Sequence, residues 1–170
     1  MRLSLVIAII FLSNLSFGQD LEKQKVAIDA EIERISKQSN SAAVSFSIQA
    51  MKKRLHYIRY NYVVNKSGYV KISRQFSNKN DTTQQTFYLK EGKLIHATET
   101  ITSYFHEKGK TDSIGWSGGF YFANGKLIDH ITLGHGKSEL ETWNPEQEML
   151  TAFDESKKDI ARYQKKKNGG

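Results

Sequence analysis

Cysteine is absent from the 170 residues, and proline occurs once. Without cysteine there are no disulfides and no thiol for a lipid anchor, so a chain sent to an oxidising compartment must rest on its packed core alone. The scarcity of proline, with no glycine- or serine-rich run, removes the composition of a linker, and one domain is the default for this length. No long apolar run follows Leu12, which leaves nothing suited to spanning a bilayer in the rest of the chain. Acidic residues are in the minority, with Asp plus Glu 18 against Lys plus Arg 25. In an exported protein such an excess points to anionic lipid, glycan or an acidic protein rather than to nucleic acid. Lys52-Lys53-Arg54 and Lys165-Lys166-Lys167 hold much of it and read as a solvated turn and a basic flexible tail over 165–170.

Export is expected from the first residues. Arg2 is followed by an apolar stretch from Leu3 to Leu12 and a short polar-to-small segment from Ser13 to Gly18, the three-part layout of a signal peptide. Ser16 and Gly18 place the cut between Gly18 and Gln19, leaving a domain over 19–164 for the periplasm or the exterior.

In the mature part, Asp20 to Lys37 has a helical stripe of Leu21, Ile28, Ile32 and Ile35, with Asp20 as its cap. From Ala42 the period changes to two. Val44, Phe46 and Ile48 form one face of a first strand, and Ile58, Tyr60, Tyr62 and Val64 one face of a second. Further strands are expected at Tyr69–Phe76, Thr82–Leu89, Lys93–Phe105, Ser113–Phe122 and Lys126–Leu133, with Ile95, Ala97, Ile101 and Phe105 on a common face. Asn144-Pro145-Glu146 starts a last helix with a cap, a proline at its first position and an acid in its first turn. Met149, Leu150, Phe153, Ile160 and Tyr163 give that helix its apolar side. The fold expected is α+β: an amino-terminal helix, about seven antiparallel strands in meander order, and a carboxy-terminal helix packed on the curved sheet.

One motif occurs twice in the sheet region, as Phe87-Tyr88-Leu89-Lys90-Glu91-Gly92-Lys93-Leu94-Ile95 and Phe120-Tyr121-Phe122-Ala123-Asn124-Gly125-Lys126-Leu127-Ile128. Each reads as a β-hairpin closed by Glu-Gly or Asn-Gly. With no third copy visible, a solenoid is set aside in favour of two hairpins of one meander. These strings, behind a leader ending Ser16-Phe17-Gly18 before Gln19, resemble uncharacterised small exported proteins of Gram-negative bacteria with such hairpins. The resemblance implies export and hairpin architecture; it carries over no catalytic or binding residue.

For chemistry, the nearest histidine pair is His130 and His135, whose spacing of five puts them on opposite faces of a regular strand. A metal site is therefore not expected, and neither is a cofactor. Ser113, Ser117, Ser138, Asp112 and His135 include no nucleophile-elbow pattern, and Glu139, Glu141 and Glu146 form no evident carboxylate pair. Trp116-Ser117-Gly118-Gly119 reads as a strand with a bulge or a close approach, with Trp116, Phe120 and Phe122 on the buried side. No catalytic residue is assigned. Tyr57, Tyr69, Tyr88, Tyr104 and Tyr121 with Arg59 could line an amphipathic sheet face that grips a sugar or a protein strand, and Tyr88, Tyr104, Tyr121, Arg59, His130 and His135 are the candidate binding residues. The leading expectation is an exported, non-catalytic binding module for a protein, glycan or anionic envelope component. A periplasmic carrier of a small apolar or anionic ligand comes second, and it requires a deep apolar cavity beneath the last helix. A hydrolase comes third and requires His130 or His135 beside a serine or carboxylate in a cleft.

Overall fold

A computed structural model describes residues 2–38, 43–49, 57–66, 68–78, 80–107 and 110–169, with side chains described outside 2–18, 38, 49 and 106–110. Helix α1 (Arg2–Gln38) is followed by strands β1 (Ala43–Gln49), β2 (Tyr57–Asn65), β3 (Gly68–Ser77), β4 (Asp81–Lys90), β5 (Lys93–Glu107), β6 (Lys110–Ala123) and β7 (Lys126–Leu133), a single 3-10 turn at Lys137–Glu139, and helix α2 (Pro145–Asn168). The seven strands form one antiparallel sheet in sequence order. This is the α+β meander expected from the periodicity. Asp20 lies inside α1 rather than at its start, because the preceding residues continue the helix. Likewise, α2 runs on through Lys165–Lys167, where cations suit the carbonyl end of the helix and where the sequence suggested a flexible tail. Ala42, Ala50, Met51 and the Lys52-Lys53 turn lie outside the described residues.

Both repeated hairpins turn as their sequences require. Glu91 and Gly92 have φ of 52° and 76°, and Asn124 and Gly125 have 52° and 78°, positive at both central positions as in a type I′ turn. The repeat goes deeper than the turn. Tyr88 pairs with His96 and Leu89 with Leu94, so Ile95 is an extra residue in its strand. In the second copy Tyr121 pairs with Asp129 and Phe122 with Leu127, which makes Ile128 the extra one. A third hairpin obeys the same rule: Val63 pairs with Lys71 and Val64 with Tyr69, leaving Val70 as the bulge. Tyr62 to Val70 thus shares the bulge of the two copies, though not their sequence: its glycine, Gly68, stands one place later relative to the lead-in than Gly92 or Gly125 does.

The face of the sheet against α2 holds the main core. Cross-strand pairing lines up Val44, Tyr62, Ile72, Phe87, Ala97, Phe120 and His130 in one row. A parallel row holds Ile48, Ile58, Phe76, Thr83, Ile101 and Trp116. Met149, Ala152, Phe153 and Ile160 of α2 close over these rows and are buried with them. The helix starts where Asn144 Oδ1 accepts the Gln147 N–H at 3.0 Å, with Pro145 in the first turn. Where Lys157 interrupts the stripe, buried Ser156 donates to the Ala152 carbonyl at 2.8 Å, and Lys157 bends over the Phe153 ring. The bulge at Ile95 puts Leu94 rather than Ile95 into the core beside Ala97 and Ile101, and Phe105, at the far end of β5, is exposed.

Gly118 is required by this packing. A Cβ there would lie 2.7 Å from Phe120 Cζ and 2.9 Å from Trp116 Cη2, whereas at Gly119 the nearest atom is His96 Nε2 at 3.6 Å. Both crowding rings are buried and cannot swing away. Gly118→Ala should therefore cost about 2 kcal/mol, in the range of core overpacking, and Gly119→Ala close to nothing, as read by urea denaturation. Equal effects at the two positions would refute this account of the paired glycines.

Candidate functional site: an open sheet face

Helix α1 lies on the other face of the sheet. Pairing puts Val63, Lys71, Tyr88, His96, Tyr121 and Asp129 in one row there, and α1 crosses that row. Ile35 packs with Val63 and Val70. The Tyr121 hydroxyl donates to Asp29 Oδ1 at 3.1 Å, and Lys25 Nζ lies 2.7 Å from Asp129 Oδ2. This ion pair holds the Asp129 carboxyl below its ordinary range, while burial beneath the helix raises the Tyr121 phenol.

The sheet opens beyond α1. Ser45, Asn61, Ser73, Thr86, Thr98, Gly119 and Ile131 make the next row, exposed at Ser45, Asn61 and Ile131 and buried at Thr86, and Ser47, Arg59, Gln75, Gln84, Thr100, Ser117 and Leu133 make the one after. In the second of these Ser47, Arg59, Gln75, Gln84, Thr100 and Leu133 are all exposed. Threonine serves the strand with its β-branch and leaves its hydroxyl to the surface; Ser73 and Thr86 share a hydrogen bond of 3.1 Å along the face. Two shallow depressions mark its ends. One, of about 440 Å³, lies over Thr98, Thr100, Ser117 and Ile131; the other, of about 360 Å³, lies over Ser47, Tyr57, Arg59 and Gln75.

No family model, curated protein or solved structure matches the chain. The candidate residues are therefore judged by their places in the fold. Arg59 and Tyr104 lie on the open part of this face. Tyr88 and Tyr121 lie on the same face beneath α1, flanking His96 at ring-centre distances of 5.9 and 4.7 Å. Tyr69 departs from this group: the bulge at Val70 reverses its side, and its hydroxyl donates to Gln164 of α2 at 3.0 Å. His130 is on the α2 face against Phe120 and Trp143. His135 stands in the following loop with Nδ1 2.7 Å from Glu139 Oε1, in side chains that are 84% and 60% exposed, so the pair has no enclosing cleft. Among the described residues no group of histidines and carboxylates could hold a metal ion.

Two buried polar features escaped the sequence reading. His96 is 7% exposed, its Nδ1 has no hydrogen-bond partner among the described residues, and burial lowers its pKa to about 4, against a smaller opposing pull from Asp29. On the α2 face, Arg74 Nε donates to Gln85 Oε1 at 2.6 Å and Gln85 Nε2 to Glu99 Oε1 at 2.8 Å. Lys137 Nζ then joins Glu99 to Glu148, and Glu148 Oε2 accepts from Trp143 Nε1 at 2.9 Å. Burial raises the Glu99 pKa even against the pull of Lys137. This chain of contacts ties the sheet, the loop after β7 and α2 into one unit, and Ser138 belongs to the same work by accepting from Trp116 Nε1 at 3.0 Å.

Proposed function

We propose that the protein is an exported, non-catalytic binding module and that the open face of the sheet is its binding surface. One observation carries this reading. The row from Ser47 through Arg59, Gln84 and Thr100 to Leu133 crosses the whole sheet under neither helix, although both helices cover other parts of the same sheet. A hydroxyl- and amide-bearing surface of that width, with exposed Tyr57, Tyr104, Ile131 and Leu133 around it, combines directional polar contacts with apolar anchors. The carrier reading has less support, because Met149, Phe153, Phe87 and Phe120 fill the space between sheet and α2 in which a cargo would sit. The hydrolase reading has only the exposed His135–Glu139 pair to draw on.

A photo-crosslinking residue at Thr100, compared with one at Lys158 on the exposed side of α2, tests the proposal in the producing cell. Adducts are expected from position 100 and not from 158. Equal yields from the two positions, or none from 100, would contradict it.

A further inference from the structure

We infer that the open face takes a linear, uncharged glycan, lying across the strands from Tyr57 and Arg59 to the depression at Thr98, Thr100 and Ser117. The inference rests on the binding-module reading and names the class of ligand. Among the described residues, the open rows beyond the row under α1 contain serine, threonine, asparagine and glutamine, with Arg59 as the one formally charged side chain and no carboxylate, in a chain with Asp plus Glu 18 and Lys plus Arg 25.

That composition discriminates among ligands. Hydroxyl and amide side chains each donate and accept, as sugar hydroxyls do, whereas carboxylates only accept and ammonium groups only donate. An anionic lipid surface is held by clustered cations at about 1 kcal/mol each, and one arginine supplies a small fraction of such a cluster. A charged protein partner finds no complementary charge pattern here, and such patterns are what select and orient protein partners. The rings of Tyr57 and Tyr104, 62% and 40% exposed, offer apolar bodies with polar tips that suit the C–H face of a sugar.

The geometry suits a chain rather than a single sugar. The depressions lie on one face at opposite ends of one exposed row. From β2 to β6 there are four inter-strand steps, which at the usual strand spacing is about 19 Å. An extended oligosaccharide would occupy both depressions and lie over Gln75, Gln84 and Thr100 between them.

Titration calorimetry of the exported protein with chitohexaose, cellohexaose, maltohexaose and laminarihexaose, beside phosphatidylglycerol vesicles, decides the matter. At least one hexasaccharide should bind, with an affinity insensitive to salt because no counterions are released. Tyr57→Ala and Thr100→Glu should each weaken that binding by at least about tenfold, the equivalent of 1.4 kcal/mol. Both positions are exposed, so the fold is kept, and unchanged circular dichroism confirms it. Failure of every hexasaccharide to bind overturns the glycan assignment. Vesicle binding lost in Arg59→Ala and Thr100→Glu would also overturn it, while leaving the open face as the binding surface. Hexasaccharide binding untouched by Tyr57→Ala and Thr100→Glu would overturn both readings.

Discussion

Lys137→Met is expected to lower the stability of the fold by about 3 kcal/mol at neutral pH, the scale found when one partner of a buried ion pair is removed. Glu99 is 3% exposed and sits at an inward position of β5. Its carboxylate has Gln85 and Lys137 as partners. Methionine keeps an apolar stem of similar length and removes the ammonium group, which also lies 5.0 Å from the centre of the Trp116 ring, so the loss is electrostatic. Glu99 must then stay ionised and buried with Gln85 as its neutral donor, or take up a proton, the form toward which burial already pushes it. Adding Glu99→Gln removes the orphaned charge, and the double variant should recover roughly half of the loss. Urea denaturation of the four proteins measures this directly. Strict additivity would show that the pair does not couple, and that the loop after β7 is held by other contacts.

Acid should act through His96. Its ordinary pKa of 6.5 falls to about 4 in the folded protein, so the fold favours the neutral ring. The stabilisation is fully present above about pH 6.5 and is lost as the pH falls through 4, reaching on the order of 3 kcal/mol. Glu99 contributes with the opposite sign, because its folded pKa is raised: its stabilisation is greatest in acid and declines as the pH rises. The difference between wild type and His96→Phe removes that shared contribution. Wild type should lose stability relative to the variant over this window, and because His96 lies in the row that α1 crosses, amide exchange should quicken first along Lys25–Ile35. Parallel pH curves for the two proteins would show that His96 is not the acid-sensitive group.

These residues also mark where the sequence was legible. The Asn-Gly and Glu-Gly turns, the strand alternation and the Asn-Pro helix start are local signals, and each appears where its local chemistry requires. The hairpin between Val64 and Tyr69 was legible as a turn between two strands, but its bulge was not, and Tyr69 changed sides because a bulge reverses parity without leaving a mark in composition. Arg74, Gln85 and Glu99 did leave a mark. Each occupies an inward position of an otherwise apolar alternation, beside Ile72 and Phe76, Phe87, and Ala97 and Ile101, and such positions ask for a partner. The partner itself, Lys137, lies 38 residues beyond Glu99 and could not be found without the fold. The same holds for the candidate face. Tyrosines that alternate identically in sequence divide into a pair under α1 and others in the open, because that division depends on where a helix from the other end of the chain comes to lie.

The most direct measurement is an amide correlation spectrum of the protein with and without a soluble, uncharged polysaccharide. Shifts should gather at Arg59, Gln84, Thr100 and Ser117, while Phe153 and Ser156 beneath α2 remain still. Shifts centred on α2, or a spectrum unchanged by saturating polysaccharide, would contradict the assignment of the open sheet face as a glycan-binding surface.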